Sequence, residues 1–161
     1  MKDKIAILRL KSEIDKTLQV CENISSFILE FEKKDIANNN KDIPKAMVIC
    51  QALSNYYTCI ETLFFRISQF FENDLPKEKW HKELLERMTL NIEGIREQVI
   101  DENLKNLLLE LLKFRHFSRY YFDLNYDWER IDFAISKFKQ VKDKFPVAIQ
   151  SFNQFLDKLT Q

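Results

Sequence analysis

Ile7, Ile14, Cys21 and Ile28 stand seven residues apart, and Leu10, Ile24 and Phe31 take the companion positions of the same seam. Thr17 is the one polar residue on it. Such spacing predicts an amphipathic helix of bundle type from the start of the chain to about Lys34, with its apolar stripe turned to a core. The rest of the sequence supports the same class. One Gly and three Pro in 161 residues are too few for a β fold, which needs turn residues about every 8–12 positions. The expectation is an all-α, up-and-down bundle of four to five helices.

Taken in order, the polar run DIANNNKD (35–42) ends the first helix, since consecutive Asn residues favour turns. Asp42 and Pro44 mark the start of a second helix that reaches Glu72. It is apolar on several faces (Met47, Val48, Leu53, Tyr56, Ile60, Phe64, Ile67 and Phe71), the pattern of a central helix. Glu61 interrupts it between Ile60 and Leu63. A carboxylate there either meets a cation from the helix that carries Arg115 or lies on a narrow wet stripe with Ser54, Tyr57 and Ser68. Pro76 is expected in the first turn of a short third helix carrying Trp80, Leu84, Leu85 and Met88 on one side. His81, beside Trp80, reads equally as a packing group or a ligand. The connection 91–100 holds Gly94. Asp101 is the expected N-cap of the next helix, with Leu104, Leu107, Leu108, Leu111 and Leu112 in its core, and Asp127 the N-cap of the last. Pro146 is expected to break or kink that last helix.

The formal net charge is zero, which argues against a generally basic nucleic-acid binder and leaves only a local patch for any RNA contact. Cys21, Cys50 and Cys59 lie in apolar helical runs with no CxxC pair. With two histidines in the chain, no zinc ligand set suggests itself, so neither metal nor cofactor is expected. No run approaches the ~18 uncharged apolar residues of a membrane span, and no signal-peptide pattern opens the chain. A cytoplasmic protein with reduced thiols is the expectation.

The stretch LKFRHFSRYYFDLNYDWER (112–130) is where chemistry concentrates. It closes a long apolar helical pattern and crowds Arg115, His116, Arg119, Tyr120 and Tyr121 together, with no acidic residue from Lys113 until Asp123. On a continuing helix, Arg115 and Arg119 share a face at i, i+4, with Phe122 below at i+7. Two cations among aromatics on one face suit a phosphate better than bulk water.

Three stretches in order, SNYYTCIETLF (54–64), DLPKEKWHKELLERM (74–88) and KFRHFSRYYFDLNYDWER (113–130), resemble the HepT-like ribonuclease toxins of the HEPN superfamily. The resemblance implies one HEPN-like helical domain over residues 1–161 and a homodimer with an RNA cleft between its subunits. It also implies metal-independent cleavage, in which the ribose 2′-hydroxyl attacks the adjacent phosphate. The family signature is Arg-x-x-x-x-His-x-Tyr: the Arg stabilises the phosphate, the His moves the proton, and the Tyr can be adenylylated by a nucleotidyltransferase antitoxin. Carried over, Arg115 is the motif Arg, and His116 and Arg119 match a common flank. Tyr120 stands at the His position and Phe122 at the Tyr position. A phenol titrates about 3.5 units above an imidazole, nearly ~5 kcal/mol, so Tyr120 suits hydrogen-bond donation better than base catalysis. The resemblance therefore implies an impaired ribonuclease, with Arg115, Tyr120 and His116 as catalytic candidates. Arg119, Tyr121, Phe122 and Glu61 would be RNA-binding or supporting residues. The alternatives are a non-catalytic HEPN module that binds RNA or protein, and a structural helical adaptor. Phe122 has no hydroxyl to adenylylate; Tyr120 and Tyr121 are the nearby alternatives.

Overall fold

A computed structural model describes residues 3–37 and 40–161. Of the Asn run, Asn38 and Asn39 lie outside the described residues. Five α-helices account for most of the rest: α1 (Lys4–Phe31), α2 (Ile43–Phe71), α3 (Trp80–Met88), α4 (Glu102–Ser118) and α5 (Trp128–Thr160). The protein is an all-α bundle, as its periodicities require.

Four helix starts are set by aspartates that accept backbone N–H groups left open by the first turn. Asp3 takes Ile5 N, Asp42 takes Lys45 N, Asp101 takes Leu104 N, and Asp127 takes both Glu129 N and Arg130 N. The α1 seam of Ile7, Leu10, Ile14, Thr17, Cys21 and Ile28 is buried. Thr17 stays there without a penalty because its hydroxyl donates to Glu13 O at 2.9 Å. The α-helix gives way to a π-helical turn, Glu32–Ile36, which buries Ile36; helical structure thus enters the stretch expected to be loop.

Helix α2 packs against each of the other four. Its fully enclosed Tyr56 and Phe64 meet Phe138 and Phe145 of α5 edge-on, with ring centroids 4.9 and 6.0 Å apart. A helix that touches all its neighbours must be apolar nearly all round, which leaves little room for Glu61. The three cysteines are free thiols.

One expectation fails, and of the break or kink expected at Pro146 the break does not occur. Pro76 does not open α3, which starts four residues later at Trp80; Lys79 caps it in the left-handed region, at φ 53°, and residues 72–79 form an irregular connection. Nor does Pro146 break the last helix: α5 runs from Trp128 to Thr160 without interruption. Phe145 precedes the proline and Ile149 and Phe152 follow it, all buried. Phe145 is fastened to Phe64 and Phe152 to Phe71 of α2. Packing on both sides outweighs the one lost backbone hydrogen bond.

Candidate functional site

Tyr57, Thr58 and Glu61 occupy neighbouring positions on α2, and Arg115 lies in the last turn of α4. Glu61 is only 6% exposed and Arg115 7%. A carboxylate so placed needs compensation. It receives a two-pronged contact: Arg115 Nη1 donates to Glu61 Oε1 and Nη2 to Oε2, both at 3.1 Å. This fork geometry is available to Arg and not to Lys. Nη1 also donates to Thr58 Oγ1 at 2.8 Å, and the guanidinium lies over the Tyr57 ring, its carbon 4.8 Å from the centroid. Burial, then the Glu61 charge, pushes the Tyr57 hydroxyl far above its ordinary range.

A third charged-capable group joins from α3. His81 Nδ1 lies 2.8 Å from Glu61 Oε2 and 3.4 Å from Arg115 Nη2. Arginine only donates and an ionised carboxylate only accepts, so both contacts cannot be hydrogen bonds to the same ring nitrogen. The shorter one decides. If Nδ1 were bare, two lone pairs would face each other at 2.8 Å, so Nδ1 carries the proton and donates it to Glu61. The Arg115 approach is then a charge held near the ring. In the neutral imidazole the lone pair sits on Nε2, and the side chain is 40% exposed. Trp80 flanks the ring, centroids 4.0 Å apart and planes 30° from parallel.

The basic–aromatic stretch divides at the end of α4. Ser118 Oγ donates to Arg115 O at 2.9 Å, diverting a carbonyl of the last turn. Arg119 is the C-cap, Tyr121–Asp123 form a single 3₁₀ turn, and Leu124 follows at φ 64°. The helix does not continue to Phe122, so the expected i, i+4, i+7 face of Arg115, Arg119 and Phe122 does not exist. Arg115 points inward. Outside it, His116 and Arg119 are exposed, Tyr120 is 59% exposed and Phe122 81%. His116 and Tyr120 keep their i, i+4 contact, ring to ring at 5.3 Å. Tyr121 is half-buried against Tyr126 at 4.9 Å. Two of the three cations are paired: Lys113 reaches back to Glu110 at 3.2 Å, and Arg115 is bound within its own chain by a carboxylate 54 residues away.

Sequence reading picked Arg115 and Glu61 but missed Tyr57, Thr58 and His81 as parts of one cluster. The available signal was Glu61 itself, because a carboxylate inside an apolar helix demands polar partners from elsewhere in the chain. Among the described residues no group of three or more His, Cys, Asp or Glu could hold a metal ion, and no helix is long and apolar enough to cross a membrane.

A family model for HepT-like proteins matches residues 48–156. That span takes in nearly all of α2, the whole of α3 and α4, and most of α5, and so every residue of the cluster. No curated protein and no solved structure matches the chain.

Proposed function

Because the chain belongs to the HepT-like family, we propose that it is the toxin member of a toxin–antitoxin pair, a metal-independent RNA endonuclease of reduced activity. Its working surface is the end of α4. The observation that carries this reading is the buried Arg115–Glu61 fork beneath a rim of exposed His116, Arg119, Tyr120 and Phe122. Exposed aromatic faces beside cations are what single-stranded nucleic acid stacks and tracks upon, and no packing role explains them here. Activity is reduced for two reasons. Tyr120 stands where the motif has its imidazole, and a phosphate must compete with Glu61 for the Arg115 guanidinium.

A second copy of the chain would complete the RNA cleft, giving a homodimer, and a nucleotidyltransferase antitoxin would be the partner that silences it. Of the two tyrosines near the missing motif hydroxyl, Tyr120 is the acceptor, because it is exposed and Tyr121 is packed against Tyr126. A second reading rests on the same fork. With Arg115 held inward, the chain is a non-catalytic module that binds RNA or protein through the rim.

The test is growth arrest and cleavage of single-stranded RNA by the native chain, by Tyr120→His and by Arg115→Ala. Weak native activity, raised by Tyr120→His and abolished by Arg115→Ala, is expected. Salt-sensitive RNA binding with no cleavage by either the native chain or Tyr120→His selects the module. Indifference of cleavage and toxicity to Arg115→Ala overturns the ribonuclease reading, and RNA binding unchanged by Arg119→Ala overturns the module.

A further inference from the structure

The geometry points to His81 as the proton-transfer group of this site, in place of the imidazole absent at position 120; the inference rests on the ribonuclease reading above. The chain has two histidines, and the structure treats them differently. His116 is exposed, its ring edge-on to Tyr120 and Phe117, with no hydrogen bond or ion pair among the described residues. His81 is held on two sides: Nδ1–H is anchored on Glu61 Oε2 at 2.8 Å, and the ring is flanked by Trp80. The anchor cannot swing away, because Arg115 grips both oxygens of the same carboxylate. A fixed carboxylate that takes Nδ1–H sets the tautomer and aims Nε2 outward, the arrangement by which an imidazole is made a directed base. His81 is also partly open to solvent, at 40% of its side-chain surface, so a substrate can reach it. Arg115 brings a guanidinium within 3.4 Å of the ring, so base and cation stand together, as charge developing on a phosphodiester requires.

In the step this permits, Nε2 takes the proton of a ribose 2′-hydroxyl while the 2′ oxygen bonds to the adjacent phosphorus. The bond from phosphorus to the 5′ oxygen breaks, and its electron pair leaves on that oxygen, which takes a proton from water. The imidazolium returns its proton to the hydroxide so formed. The products are a 2′,3′-cyclic phosphate and a 5′-hydroxyl end. His81 is the catalytic residue here and Glu61 a positioning residue.

The experiment measures cleavage of a single-stranded RNA by the full chain and by His81→Ala, His116→Gln and Tyr120→His, with folding checked by thermal unfolding. Each is assayed with and without added imidazole. The expected result is cyclic-phosphate product from the native chain, reduced far less by His116→Gln, which only trims the rim, than by His81→Ala. His81→Ala should lose about 100-fold or more and recover in part with imidazole. If folded His81→Ala cleaves like the native chain, or its loss is not rescued by imidazole, the assignment is overturned and the ribonuclease reading stands. If the native chain is inert and Tyr120→His cleaves, His81 does not replace the missing group. If neither cleaves, the ribonuclease reading itself has failed.

Discussion

Two buried arginine–glutamate pairs spring from α2, one at its middle and one just past its end, and they are built to different specifications. At the end of α2, Arg96 places Nε and Nη2 on the two oxygens of Glu72, at 3.0 and 2.7 Å. Its remaining N–H groups go to the carbonyls of Leu90 and Glu97 from Nη1 and of Arg87 from Nη2. All five donors are used and the side chain is completely enclosed. At the middle of α2, Arg115 spends its donors on Glu61 and Thr58 alone. Its Nε has no partner among the described residues, and the third member of its cluster, His81, is partly exposed. The first pair is closed: it ties the irregular residues 90–97 to the end of α2. The second keeps unspent hydrogen-bonding capacity beside a partly exposed histidine, as a site must if it is to bind something.

That contrast should appear first in stability. Arg96→Met leaves Glu72 buried without a counter-charge and strands three carbonyls, so a loss of about 3–5 kcal/mol in urea unfolding is expected. Arg115→Met leaves Glu61 with a His81 donor, and about 2 kcal/mol is expected. Equal costs would mean that the two pairs serve the same structural purpose.

Replacing both members of each pair sharpens the comparison. Glu61→Leu with Arg115→Met should fall within about 1 kcal/mol of the native chain, because apolar groups of similar size spare the desolvation of both ions. The same replacement at Glu72 and Arg96 should still cost about 1–3 kcal/mol, because the carbonyls of Arg87, Leu90 and Glu97 lose their donors. RNA cleavage and toxicity should vanish in the first double variant despite its stability. If they persist, the Glu61–Arg115 cluster is not the working site.

These two pairs also mark what a sequence of this kind discloses. The helix starts at Asp42, Asp101 and Asp127 were readable because capping is a local event, decided within three residues. Glu61 was conspicuous because it interrupts an apolar helix. The Arg115 helix was legible as the source of its cation, but His81, 20 residues away, was not, since periodicity carries no information about which turn of one helix faces which turn of another. Arg96 lay in a stretch with no period at all, and its role depends on carbonyls that every sequence has. The break allowed for at Pro146 is absent for the opposite reason: a strong local rule was overruled by rings on a different helix.

The smallest effect is the most diagnostic of how tightly the Glu61 cluster is made. Tyr57 is 1% exposed, and its hydroxyl has no hydrogen-bond partner among the described residues. Tyr57→Phe keeps the ring face beneath the Arg115 guanidinium and removes only an oxygen whose burial is uncompensated. Chemical unfolding should therefore show a gain of up to about 1 kcal/mol, with cleavage unchanged. The corresponding truncation at the closed pair has no such slack, because each donor of Arg96 already has its acceptor. A loss in Tyr57→Phe would show the hydroxyl bonded in solution, most directly to Glu61. The carboxylate would then be held by a third donor besides Arg115 and His81, and the two pairs would differ in their surroundings but not in how completely they are satisfied.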